Sequence, residues 1–186
     1  MSILLTGFEK FSKYNNNLSE LLVDKFPDNF YDLSVEKLIF PVNWKQSCHL
    51  IKQKIENMDY LPSIFVLTGI QEANYISLED RAYNFKFGMD EEKHFKCSFI
   101  TIRNGLCLKS NVDVERLLKR IKAYERIRIS VYPGIYLCNY IYYLTLNYYK
   151  RCSYVLFVHF PKAGSFYNCF RALNSIIINL INMYKI

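Results

Sequence analysis

Metal-binding signatures are missing from this sequence. None of its six cysteines (Cys48, Cys97, Cys107, Cys138, Cys152 and Cys169) forms a C-x-x-C pair, and no Cys/His cluster has zinc spacing. Histidine is scarce, with only His49, His94 and His159 present. No stretch reaches the roughly 20 uninterrupted apolar residues that span a bilayer. The nearest, from Gly134 to Tyr149, is broken by Asn139 and Asn147. The opening Met1-Ser2-Ile3-Leu4-Leu5-Thr6-Gly7 lacks the charged head and long apolar run of a secretory signal. These absences predict a soluble cytoplasmic chain with reduced thiols, no bound metal and no membrane contact. Internal repeats and linker-like stretches are also missing, so residues 1–186 are expected to form a single domain.

Just over half of the residues are hydrophobic and about a fifth are charged, the balance of a globular protein. The 16 Tyr and 14 Phe, with frequent Asn, Lys and Ile, match the codon bias of an AT-rich genome and say little about function. Lys and Arg number 24 against 17 Asp and Glu, for a formal charge of +7. The positive residues are scattered. Their densest group, Arg116, Lys119, Arg120, Lys122, Arg126 and Arg128, falls on an expected helix and the turn after it, where a solvated outer face is the ordinary outcome. Nucleic-acid binding through phosphate contacts is therefore not expected.

Short apolar runs alternate with helical patterns along the chain. Strands are expected at Ile3–Thr6, Lys37–Val42, Ile64–Thr68, Ile127–Tyr132 and Tyr154–His159, with a further one near a sheet edge at Cys97–Arg103. Helices are expected from Trp44 to about Met58, after a cap at Asn111 or Asp113, from Pro133-Gly134 through Tyr149, and from Phe166 to Tyr184. Continuous apolar strands separated by helices predict a three-layer α/β/α sandwich around a mostly parallel twisted sheet.

Ligands of such sheets sit beyond the carboxyl ends of the strands. That rule selects four loops: Gly7–Asn17, Gly69–Asn84, Pro133–Cys138 and His159–Pro161. They contain a thiol, Cys138, an imidazole, His159, and a carboxylate, Glu79, whose competing neighbours are Glu72, Asp80, Asp90, Glu91 and Glu92. Cysteine attacks as thiolate, a form favoured at a helix N-terminus beside a histidine. Cys138 falls in the first turn after Pro133-Gly134, where unpaired backbone N–H groups favour negative charge and can also stabilise an oxyanion. Taken alone, each residue has a plainer reading. A cysteine on an apolar helix is usually a small core residue. His159 is equally suited to a satisfied strand end, and Glu79 to a cap or a solvent-facing position.

Five segments in order are similar to the motifs of the pyroglutamyl-peptidase I family. Thr6-Gly7-Phe8-Glu9-Lys10-Phe11, followed by Asn17-Leu18-Ser19, resembles the family's opening. Phe40-Pro41-Val42-Asn43-Trp44 resembles its L-P-V strand end. Ile76-Ser77-Leu78-Glu79, with Asn84 in register, resembles the segment bearing its catalytic glutamate. Gly134-Ile135-Tyr136-Leu137-Cys138-Asn139-Tyr140 resembles its cysteine motif, and Val158-His159-Phe160-Pro161 its histidine motif.

The resemblance runs from about Ile3 to Pro161. It implies a cysteine omega-peptidase that removes N-terminal pyroglutamate from peptides through a thioester, without cofactor or metal. Cys138 would be the nucleophile, His159 the base and Glu79 the residue that orients it. Phe8 and Phe11 would flank the lactam ring, Gln71 would hydrogen-bond it, and Asn17 would brace the loop. Association of identical copies is compatible with this reading.

The segment also departs from the family pattern. Asp80 precedes Arg81 where the family has Arg directly after the glutamate, and Lys10 stands between the two phenylalanines. Phe87-Gly88-Met89-Asp90-Glu91-Glu92 replaces a substrate-loop stretch, and Tyr132-Pro133-Gly134 replaces S-A-G. A pocket retained for binding without turnover is the alternative.

Overall fold

A computed structural model describes residues 1–11, 16–102, 104–121 and 126–186. Lys122 of the basic group, Arg103 at the end of one expected strand and part of the Gly7–Asn17 loop lie outside the described residues. The first half of the chain contains β1 (Ser2–Phe8), α1 (Leu18–Lys25), β2 (Asn29–Phe30), β3 (Leu33–Phe40), α2 (Trp44–Glu56), β4 (Ile64–Gln71) and β5 (Ile76–Glu79). There follow β6 (Arg81–Tyr83), β7 (Lys86–Met89), β8 (Phe95–Ser98), β9 (Cys107–Lys109), α3 (Val114–Arg120), β10 (Ile127–Ser130), α4 (Leu137–Tyr149), β11 (Tyr154–Pro161) and α5 (Phe166–Tyr184).

Seven strands form the central sheet in the order β10-β5-β11-β4-β1-β3-β2. Its centre, β11, β4, β1 and β3, is parallel. The short β5 runs antiparallel to β11 and parallel to β10, and β2 runs antiparallel to β3. Alternate residues of each strand serve opposite layers, as pleating requires. Ile3, Leu5, Ile64, Val66, Leu156 and Val158 pack with α1, α3 and α5, while Leu4, Phe65, Leu67, Val155 and Phe157 pack with α2 and α4. Apolar side chains on both faces explain why these strands read as continuous hydrophobic runs.

Local chemistry sets the boundaries. Asn43 caps α2 by accepting from the Lys45 and Gln46 amides at 3.0 and 2.8 Å, so β3 stops at Phe40 rather than Val42. Asp113, rather than Asn111, caps α3, accepting from the Arg116 amide at 2.9 Å. Residues expected as a strand at Cys97–Arg103 instead form β8 at Phe95–Ser98, paired with β7 in a hairpin outside the main sheet. The correction at Glu79 matters most for function. Glu79, expected in a loop, ends the sheet strand β5. Only four residues long, β5 carries its alternation (Ile76 and Leu78 toward one layer, Ser77 and Glu79 toward the other) over too few positions to stand out in sequence.

Candidate active site

Strand parity brings the chemistry together. Along β11, Val155 and Phe157 face α4, so His159, two residues further on, faces it too. Glu79 faces the same way from β5, which lies beside β11 with Phe157 opposite Glu79. Cys138 enters from α4, as the second residue of the helix. Three segments separated by dozens of residues thereby place a carboxylate, an imidazole and a thiol at one end of the sheet.

His159 Nδ1 lies 2.8 Å from Glu79 Oε1, and both residues are buried. This contact leaves Nε2 as the ring nitrogen available to the thiol, and Cys138 Sγ and the Cδ2 edge of the ring both lie against Gly69. Burial by itself would lower the pKa of His159, but the contacts with Cys138 and Glu79 outweigh it and hold the ring raised, at about 9. The helix end above carries no side-chain cap among the described residues, since Tyr136 occupies the N-cap position. The amide N–H groups of its first turn, the turn that carries Cys138, have no intrahelical acceptors.

Gly69 lies inside β4, which runs on to Gln71 rather than stopping at Thr68, and pairs in register with His159. A Cβ there would stand 2.9 Å from Cys138 Sγ, 3.1 Å from Phe157 and 3.3 Å from His159 Cδ2. The floor of the site is thus bare backbone. Sequence marked Gly69 only as the end of a strand; the terminal position of a glycine after Ile64–Thr68 was the signal present.

The amide of Asn139, fully buried next to the thiol, acts like a third strand edge. Its Oδ1 accepts from the Tyr83 amide at 2.7 Å, and its Nδ2 donates to the Tyr83 and Phe85 carbonyls at 2.8 and 2.9 Å. The departures from the family pattern are similarly tied down. The Phe87 amide donates to the Ile135 carbonyl, and the Tyr136 hydroxyl to the Met89 carbonyl at 2.7 Å. Asp90 accepts from the Trp44 and His94 amides, and these bonds overcome burial to hold its carboxyl below the usual range. Arg81 bonds Asp80 through two nitrogens at 3.2 and 2.8 Å. Gly134 has φ +80, in the left-handed region where glycine carries no steric penalty.

A small cavity of about 80 Å³ opens beside the thiol, lined by Phe8, Phe11, Asn17, Val42, Ile70, Tyr136, Leu137 and Cys138. It is far below the several hundred Å³ of a drug-sized site and suits one small ring. Phe8, Phe11 and Asn17 all lie here. Asn17 also caps α1, its Oδ1 accepting from the Ser19 amide and hydroxyl at 2.9 and 2.8 Å and its Nδ2 donating to the Glu9 carbonyl. Gln71 does not line the cavity. Its amide donates to the Tyr75 carbonyl and bonds the Ser77 hydroxyl, bracing the turn from β4 to β5. Val42, Tyr136 and Leu137, although in motif segments, and Ile70 were not singled out as lining in sequence, because apolar lining and apolar core have the same composition.

A thiol above a buried imidazole–carboxylate pair, at the start of an uncapped helix, defines a cysteine hydrolase. Comparison with known proteins narrows the class. The family model for pyroglutamyl peptidase matches residues 1–165. A pyrrolidone-carboxylate peptidase of Brachyspira hyodysenteriae is 32% identical over 174 residues, covering 87% of this chain and 83% of that protein. Human pyroglutamyl-peptidase 1 is 26% identical over 195 residues, covering 99% and 91%. In three dimensions the chain resembles pyrrolidone carboxyl peptidases from Pyrococcus furiosus (the E192I mutant; TM-score 0.91, 21% identity, 98% and 99% of the two chains) and Fervidobacterium islandicum (0.90, 23%, 98% and 99%). The chain belongs to the pyroglutamyl peptidase family, hydrolases of the cysteine-peptidase type that remove N-terminal pyroglutamate. Among the described residues, no helix is long and apolar enough to cross a membrane.

Proposed function

We propose that Cys138, His159 and Glu79 carry out this hydrolysis as nucleophile, acid–base and orienting carboxylate. The observation that supports the assignment is the 2.8 Å bond from His159 Nδ1 to Glu79, which turns the opposite edge of the ring toward the thiol. Cys138 attacks the scissile carbonyl as thiolate, its proton residing on His159. Negative charge developing on the carbonyl oxygen is met by the first-turn N–H groups of α4. The tetrahedral intermediate expels the peptide's amine, which takes the proton from His159 Nε2, and a thioester remains. Water, deprotonated by His159, then releases pyroglutamate and restores the thiol. Glu79 holds the ring orientation and stabilises its charge throughout.

The cavity supports the substrate assignment. Pyroglutamate is a neutral lactam, and among the described residues no carboxylate side chain lines the cavity to hold the ammonium of an ordinary N-terminus. Phe8 and Phe11 would flank the ring, with Asn17 the amide side chain of the lining. Gln71 would act indirectly, through the turn that it braces. None of the six cysteines is in a disulfide, which suits a reducing compartment such as the cytoplasm.

The test compares release of a fluorescent amine from an L-pyroglutamyl amide by the protein and by Cys138→Ala. Turnover that vanishes in the mutant is expected. Equal turnover in both overturns the assignment, and stoichiometric binding without turnover in the unsubstituted protein marks a binding module instead.

A further inference from the structure

Helix α4 has a second hold on the site, one turn beyond the nucleophile. Tyr142 is completely buried, and its hydroxyl donates to the backbone carbonyl of Glu79 at 2.8 Å. Residues i and i+4 share a helix face, so Cys138 and Tyr142 approach the sheet side by side. One meets His159 and the other meets Glu79. The Tyr142 ring lies 5.5 Å from that of Phe157, which lies 4.7 Å from the His159 imidazole. Tyr142 therefore touches the main chain of one member of the triad, reaches a second through a single ring, and sits on the helix that carries the third.

Glu79 depends on its main chain for position. It is the last residue of a four-residue strand. Its carboxylate is held through Oε1, while Oε2 has no hydrogen-bond partner among the described residues. The backbone around it pairs with β11, where Phe157 stands opposite Glu79, and with β10 through the Asp80 amide bonding the Ser130 carbonyl at 2.7 Å; Tyr142 adds a hold from outside the sheet. Buried tyrosines commonly find some acceptor for their hydroxyl, and that alone implies no role. The adjacent Tyr143 is such a case. It is equally buried, and its hydroxyl donates to the Gly105 carbonyl at 2.6 Å, outside the triad.

We propose that Tyr142 is a positioning residue of this peptidase, its hydroxyl fixing the Glu79 main chain so that the carboxylate stays in register with His159 Nδ1. The proposal rests on the assignment of Glu79 as the partner that orients His159.

Tyr142→Phe and Tyr143→Phe each remove one buried phenolic oxygen, so both variants lose stability to a similar degree. An NMR titration of the His159 ring reads the placement of Glu79 without needing turnover. In Tyr142→Phe the midpoint is expected to fall by about one pH unit, as the charge partner loosens. With the pyroglutamyl amide, kcat is expected to fall about tenfold with KM within about twofold. Tyr143→Phe keeps the midpoint and kcat of the unsubstituted protein. A midpoint unmoved in Tyr142→Phe, or moved equally in both variants, overturns the proposal. If the unsubstituted protein fails to turn over the amide, the titration still decides the role of Tyr142, and the failure belongs to the catalytic assignment.

Discussion

Gly69→Ala separates folding from catalysis at the centre of the site. The new Cβ would stand 2.9 Å from Cys138 Sγ, where ordinary contact begins at 3.4 Å, so one of them must move by about half an ångström. The strand is poorly placed to move, because β4 is hydrogen-bonded on both sides, to β1 and β11. Phe157, 3.1 Å away, is fully buried. The thiol has one torsion and gives way by turning from His159. Gly69 lies outside the left-handed region, so alanine meets no backbone penalty. Overpacking costs about 1–3 kcal/mol, offset by about 0.4–1 kcal/mol from a stiffer unfolded chain. The variant is therefore expected to fold with a modestly lowered Tm. Displacing the nucleophile costs far more in rate, on the order of 100-fold in kcat/KM. The pyroglutamyl amide assay and a thermal melt measure the two effects. Gly105→Ala, whose Cβ would meet nothing nearer than 3.6 Å, serves as the control and should retain activity. A folded Gly69→Ala protein with kcat/KM within about threefold of the original would refute the placement of Cys138 as nucleophile above Gly69.

Two further outcomes follow from the same geometry. His159 is raised from an ordinary 6.5 to about 9 in the folded state, so its contribution to stability is fully present below pH 6.5 and is lost as pH rises through 9. The loss is on the order of 3 kcal/mol. Denaturant melts between pH 6 and 10 should show it, and Glu79→Gln should flatten the decline; an equally steep decline in that variant contradicts the assigned charge partner. Asn17→Ala removes the α1 cap and the tie to Glu9, with a loss of about 2 kcal/mol. Because Asn17 also lines the cavity, KM should rise more than kcat falls, and an unchanged KM would remove it from the binding site.

Much of the fold was legible because its strands and helices bury continuous or periodic apolar surface. The run Ile64–Thr68 and the stripe of Leu173, Ile176, Ile177 and Leu180 on α5 announce themselves by composition and spacing. The small pieces were not legible. Helix α1 spans eight residues, and β6, β7 and β9 span three or four, too short for a period to emerge. Gln71 shows the same limit at a single residue. Its place near the site was readable, but its amide bonds Tyr75 and Ser77 instead of facing the cavity, a choice made by the turn between β4 and β5.

The sequence by itself determined which residues were available for chemistry: a cysteine after Pro133-Gly134, a histidine ending an apolar strand, and a glutamate in a motif segment. These are local properties of composition and order. Tertiary structure alone decided that they meet. Pleating turned Glu79 and His159 toward the same layer, and the antiparallel insertion of β5 beside β11 set them 2.8 Å apart. The bare backbone of Gly69 left room for Cys138 above them. Such contacts depend on register between strands distant in the chain, which no local pattern encodes.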